Sequence, residues 1–235
     1  MNKLIKQGLE KIGIEGDEKK IELSARHLLA VREASRNLNL TAAKDIGDLI
    51  EKHYLDSLFF LKHCKFVEGT LLDLGTGAGF PGIPLKIFSP QISLCLLDSS
   101  RRKINFLKYL LQKMALQNAS CLRGRAEDYG WREEYREKFQ YVCSRAVAPM
   151  PELLEMGLPF VSIGGIMIAY KGPKGEEEIQ GIGPLLELMG GKLEKRIFYE
   201  LPSGGSRVLY IFRKVTDSMP RYPRRRTKPV NISIK

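Results

Sequence analysis

Leu71-Leu72-Asp73-Leu74-Gly75-Thr76-Gly77-Ala78-Gly79-Phe80-Pro81-Gly82 is the stretch on which the fold turns. The leucine-rich start reads as a short buried strand, and it stops at a cluster of glycines. Gly75, Gly77 and Gly79 leave no side chain between the main chain and a ligand, and each tolerates a positive φ. Residues 84–88 then read as the start of a helix. A strand end joined by glycines to a helix N-terminus is where ligands bind in open α/β sheets.

Downstream, apolar runs alternate with helical stretches. Ile92-Ser93-Leu94-Cys95-Leu96-Leu97 reads as a strand ending at Asp98. The spacing of Ile104, Leu107, Leu110, Leu111 and Met114 predicts a helix over 100–116. Further strands are predicted over 119–122, 139–143 and 166–170, and helices over 151–160 and 175–189. A last pair of strands, 192–199 and 207–213, flanks Pro202-Ser203-Gly204-Gly205. That loop is too short for a crossover, so the pair should be antiparallel.

Upstream, Leu4, Ile5, Leu9 and Ile12 recur at helical spacing, as do Ile21, Leu28, Leu29 and Val31. Asp45 reads as the cap of a third helix running through Leu49, Ile50, His53, Leu55, Leu58 and Leu61. The expected organisation is an N-terminal helical extension, 1–66, a ligand-binding core, 67–214, and a basic C-terminal tail, 215–235. The expected fold class is α/β, a Rossmann-like, seven-stranded, mostly parallel sheet closed by an antiparallel C-terminal hairpin. That is the class I methyltransferase arrangement; a plain dinucleotide-binding domain does not require the hairpin.

The chain has 235 residues, 43% of them hydrophobic, enough for a real core. Its net charge is +11, and the last 22 residues carry seven basic side chains against one acidic. Such a segment suits a polyanion, of which nucleic acid is the commonest, although a solvated tail has the same composition. Cys64, Cys95, Cys121 and Cys143 show no CxxC spacing and read as free thiols in a reducing compartment. Residues 1–20 lack the apolar segment of a signal peptide, and no run is long enough to span a bilayer. A cytoplasmic, soluble monomer without a metal is expected.

Two cofactors compete for the glycine loop. Gly77-Ala78-Gly79-Phe80-Pro81-Gly82 fits the GxGxxG dinucleotide fingerprint. Pro81, however, removes an amide where a pyrophosphate would seek donors. Asp73, on the strand just before the glycines, would repel a pyrophosphate and suit a cation. S-adenosylmethionine carries a sulfonium and an ammonium group, so the loop favours it over NAD. Asp98 suits the ribose hydroxyls of either cofactor, or caps the next helix, with Ser99 and Ser100 as equal candidates. Arg125-Ala126-Glu127-Asp128 follows the third strand, where main-chain groups and a carboxylate would meet an adenine edge or serve ordinary helix capping.

The loop Leu71-to-Leu85 resembles the RsmG family, formerly glucose-inhibited division protein B, bacterial 16S rRNA guanine-N7 methyltransferases. Glu51-Lys52-His53-Tyr54-Leu55-Asp56-Ser57-Leu58, Leu97-Asp98-Ser99, Ser144-Arg145-Ala146-Val147-Ala148 and Tyr170-Lys171-Gly172 agree with it, over about residues 20–213. The resemblance implies S-adenosylmethionine contacts at Gly75, Phe80, Ala126, Glu127 and Arg145, with Asp98 at the ribose. It implies 16S rRNA, or a small-subunit precursor, as the partner. Residues 225–235 depart from the family's ending.

Guanine N7 has an in-plane lone pair and no proton, so the chemistry implied needs no general base. Positioning for in-line displacement would do the work. Arg145 and Lys171, both at strand ends, are the candidate catalytic residues, to hold O6, a phosphate or the cofactor; Lys171 reads equally as a surface lysine in a Gly-Pro loop. Arg101, Arg102, Lys103, Arg123, Arg125, Arg221, Arg224, Arg225 and Arg226 are candidate RNA contacts, with Tyr222 to stack on a base. The first cluster reads equally as a solvated helix face. His27, His53 and His63 read as packing or surface histidines rather than ligands. A methyltransferase for another RNA or a small molecule, and an NAD-dependent oxidoreductase, are the alternatives.

Overall fold

In the computed structural model, residues 1–224 are described. Seven strands form one sheet: β1 (Gly69–Leu74), β2 (Ile92–Asp98), β3 (Ala119–Arg123), β4 (Phe139–Arg145), β5 (Val161–Lys171), β6 (Gly191–Glu200) and β7 (Ser206–Lys214). Their order is β3-β2-β1-β4-β5-β7-β6. The first five run parallel, and β7 is antiparallel to both β5 and β6. The fold is the expected class I methyltransferase sheet. The chain runs outward from β1 to β3 and then crosses to β4, so the strand order reverses between β1 and β4. Ligand crevices in open α/β sheets lie at such reversals, outside the carboxyl ends of the strands.

Successive residues of a strand face opposite sides of the sheet, and the two sides bury separate apolar clusters. Leu71, Leu94 and Ile168 face one cluster. Leu72, Leu74, Leu97 and Val142 face the other, with the Met150–Gly157 helix. The extension belongs to the first cluster. Ile5 and Leu9 of α1 (Asn2–Ile12) and Leu28 and Val31 of α2 (Glu18–Ala34) pack there with Leu85, Leu94 and Leu111. Residues 1–66 therefore act as a helical layer on one sheet face and share its core.

Caps follow the local chemistry. Asp17 accepts from Lys20 N and Asp45 from Asp48 N, each satisfying an amide that the first turn leaves open. Ser100, of the three candidates, caps the Arg101–Lys113 helix. The third N-terminal helix differs from the regular one expected. Its middle, Leu49–Leu55, is π-helical, a form often found at functional sites. The helix expected over 175–189 splits into Gly175–Glu178 and Gly183–Leu188. Gly181 is left-handed, and Pro184 starts the second piece, where a missing N–H costs nothing.

The expected tail begins as part of the core. Trp131 Nε1 donates to the Pro223 carbonyl at 2.8 Å, and Arg136 Nη1 to that of Tyr222 at 2.8 Å. Residues 215–224 are thereby strapped to the second face. No helix among the described residues is long and apolar enough to cross a membrane.

Candidate active site at the strand ends

The glycine loop spends its own amides on itself. Gly75 N and Thr76 N donate to the Leu97 carbonyl at 2.8 and 3.1 Å, tying the end of β1 to β2. Gly77 N donates to Asp98 Oδ2 at 3.1 Å, and Gly79 N and Phe80 N both donate to the Thr76 carbonyl. Asp98 Oδ1 accepts from Ser100 N at 2.8 Å, so one carboxylate spans the loop and the next helix start. Gly75 sits at φ 73°, and a Cβ there would collide with Val147 Cγ2. Only glycine meets both conditions cheaply.

Asp73 does not meet a ligand. Leu72 and Leu74 point to the second cluster, so Asp73 points to the first, where it is 0% exposed. Its Oδ2 accepts from Thr76 Oγ1 at 2.6 Å and Gly82 N at 2.8 Å. Burial pushes its carboxyl up to about 6. The expected direct contact with a cation is thus corrected: Asp73 holds the loop from beneath. Gly79 and Phe80 also fall behind the loop. A Cβ at Gly79 would meet Ile83, and the Phe80 ring lies 4.7 Å from that of His27 and 5.5 Å from that of His53.

In front of the loop a cavity of 280 Å³ is lined by Gly75, Asp98, Ala126, Glu127, Glu152 and Met156, among others. Four of the expected cofactor residues therefore meet in one place. A second cavity, of 630 Å³, adjoins it through Val147 and Ala148, which line both. Arg145 and Lys171 line this second cavity with Lys52, His53, Asp56 and Arg207.

Arg145 is held by the π-helical segment. Its Nη1 donates to Asp56 Oδ2 and to the His53 carbonyl, both at 2.9 Å, and its guanidinium stands 5.4 Å from the Phe80 ring. Asp56 Oδ1 accepts from the Tyr199 hydroxyl at 2.6 Å. Burial, then the Arg145 charge, lowers the His53 pKa to about 4. Lys171 is no surface lysine: it is 9% exposed, and its Nζ donates to the Ala148 carbonyl at 2.7 Å and to Glu178 Oε2 at 2.5 Å. Asp56, Tyr199, Glu178 and Arg207 carried no role in the sequence reading. For Asp56 the available signal was the Glu51-to-Leu58 motif. For the others there was none, because strand pairing and loop closure bring them in. His27 and His53 both pack; His53 also borders the cavity.

The candidate RNA contacts divide. Arg101, Arg102, Arg123, Arg125 and Arg221 are exposed, and Lys103 is half-buried with its Nζ 3.8 Å from Asp98. Arg224 is corrected: its Nε and Nη2 lie 2.9 and 2.6 Å from the oxygens of fully buried Glu155. That pairing makes it a structural clamp. Tyr222 packs at the second cluster with Arg221 over its ring at 5.2 Å. Arg225 and Arg226 lie outside the described residues.

A pyrophosphate would find these loop amides already committed, whereas a cationic nucleoside finds carboxylates at Asp98 and Glu127 and a shaped cavity between them. With the hairpin-closed sheet, this makes the protein a class I S-adenosylmethionine-dependent methyltransferase. Its substrate class comes from its relatives. The family model GidB, described as rRNA small subunit methyltransferase G, matches residues 19–195, and the chain belongs to that family. It is a small-subunit rRNA methyltransferase. Ribosomal RNA small subunit methyltransferase G of Lachnoclostridium phytofermentans is 40% identical over 230 residues, covering 97% of this chain and 95% of that protein. Its counterpart from Pelotomaculum thermopropionicum is 40% identical over 223 residues, covering 94% and 93%. Solved structures share the fold at much lower identity. M. jannaschii TYW2 in complex with AdoMet has a TM-score of 0.50 at 17% identity, over 63% of this chain and 70% of that one. Ribosomal protein L11 methylase from Lactobacillus delbrueckii subsp. bulgaricus has 0.54 at 11%, over 70% and 79%.

Proposed function

We propose that the enzyme methylates N7 of a guanine in 16S rRNA, by in-line displacement without a general base. The observation that supports this is the state of the basic groups around the larger cavity. Arg145 Nη2 faces His53 Nδ1 at 3.5 Å, and Thr41 Oγ1 lies 2.8 Å from His53 Nε2. An arginine only donates, so Nδ1 is the acceptor and Nε2 carries the proton. Asp56 is taken by Arg145 and Tyr199, and Glu178 by Lys171 and Met150 N. Each imidazole and carboxylate lining this cavity thus already holds a donor. Such a site suits an acceptor with no proton to lose, and N7 is one.

Gly75, Asp98, Ala126 and Glu127 would hold S-adenosylmethionine, which supplies an electrophilic methyl group when bound. Arg145 and Lys171 would orient the guanine, whose N7 and O6 form an acceptor edge, and Lys52 and Arg207 would meet neighbouring phosphates. The walls shared at Val147 and Ala148 align the two ligands, and alignment is the main demand of this chemistry.

Labelled S-adenosylmethionine, unmodified 16S rRNA and small subunits test the reading, followed by digestion to nucleosides. The expected product is 7-methylguanosine. Label in another nucleoside overturns the N7 assignment. A rate that climbs tenfold per pH unit below neutrality would show a base at work and overturn the mechanism.

A further inference from the structure

Three carboxylates line the smaller cavity, and two of them are satisfied from within the protein. Asp98 receives Gly77 N and Ser100 N, and Glu127 Oε1 stands 3.7 Å from Arg125. Glu152, in the first turn of the Met150–Gly157 helix, differs. Its Oε2 is closed off from solvent and accepts no hydrogen bond among the described residues. The nearby cation of that helix, Arg224, is engaged bidentately by Glu155. A shielded carboxylate oxygen without a donor is costly, and it is found where a ligand brings one.

We infer that Glu152 is a cofactor-specificity residue that accepts the exocyclic N6 amine of the adenine ring. The inference rests on the reading of this cavity as the S-adenosylmethionine site. Leu97, Ala126 and Met156 offer the cavity its apolar surfaces, suited to the faces of a purine. Met156 follows Glu152 by four residues, so both stand on one helix face. A ring lying against Met156 brings its edge toward Glu152. Asp98, at the end of β2, takes the ribose hydroxyls at the other side. The donor left on the nucleoside is the N6 amine. A hypoxanthine ring in its place presents a carbonyl, which a carboxylate repels.

Calorimetric titration with S-adenosylhomocysteine and S-inosylhomocysteine tests this without any turnover. The wild-type protein should bind the adenine compound at least about tenfold more tightly, as a hydrogen bond to a charged acceptor is worth that much. Glu152→Gln keeps the shape and can donate to the hypoxanthine carbonyl, so the ratio should fall to about threefold or invert. Thermal unfolding of both proteins checks that the variant folds. Equal wild-type affinity for the two compounds overturns the inference, with no variant needed. A ratio unchanged in Glu152→Gln also overturns it and assigns the discrimination to the N1 edge. If the wild type binds neither compound, the reading of the cavity fails, and the inference fails with it.

Discussion

Asp56 and Arg145 stand 89 positions apart and meet at 2.9 Å, with side chains 3% and 12% exposed. The pair joins the π-helical segment of the N-terminal layer to the end of β4. It is the strut through which that layer shapes the larger cavity. Removing one member of such a pair strands a buried charge. Asp56→Ala should therefore lose about 3 kcal/mol of stability or more in urea unfolding. Methyl transfer should fall more than cofactor affinity, because the guanidinium that lines the acceptor cavity loses its anchor. An equal loss in binding of S-adenosylhomocysteine would place Arg145 at the cofactor instead.

His27 gives a pH signature. It is fully buried, with Nε2 2.9 Å from the Ala78 carbonyl of the glycine loop, and burial lowers its pKa to about 4. The unfolded chain therefore takes up a proton near pH 6.5 that the folded chain refuses until about pH 4. Stability present above pH 6.5 should drain away as the pH falls through that window, by up to about 3 kcal/mol. Asp73 acts in the opposite sense below pH 6, because its raised pKa lets the folded state bind a proton first. Comparison with His27→Gln isolates the histidine. The stability difference between the two proteins should shrink from pH 7 to pH 4 in denaturant melts.

Gly75→Ala places a methyl group against Val147 at a backbone angle of 73°. The strain costs about 1–2 kcal/mol. The larger effect should fall on the cavity, with S-adenosylhomocysteine affinity reduced at least about tenfold, a change worth 1.4 kcal/mol. Adding Val147→Ala removes the collision and leaves the angle, so binding should recover in part. Full recovery would show that glycine is needed here for space alone.

Basic side chains that look alike in sequence should separate in RNA binding. Arg101→Ala and Arg125→Ala remove exposed cations, and each should lower the slope of log K against log salt by about 0.7–0.9. Arg224→Ala breaks a clamp on buried Glu155 and should lower the melting temperature while leaving that slope unchanged. A change of slope in Arg224→Ala would return that residue to the RNA surface.

Much of this molecule was legible before folding. Short apolar runs ending at glycines or Asp98, with periodic helices between them, determined seven strands and their covering helices. The hairpin followed from a loop too short to cross the sheet. Gly75, Asp98, Ala126 and Glu127 were placed at one site because strand ends in a parallel sheet face the same way. Local rules reach this far, since they depend on neighbours within a few residues.

Tertiary structure decided the roles that depend on which face a residue points to and on what arrives opposite it. Asp73 turned inward because Leu72 and Leu74 claimed the other side of β1, and its carboxylate became the loop's support. Tyr199 reached Asp56 across 143 positions only because β6 and β7 fold back beside β5. Arg224 left the basic surface because Glu155 is buried and requires a cation. A sequence carries the period of a side chain along its own element. The partner it finds comes from packing among distant elements, where desolvation makes an unpaired charge too costly to leave alone.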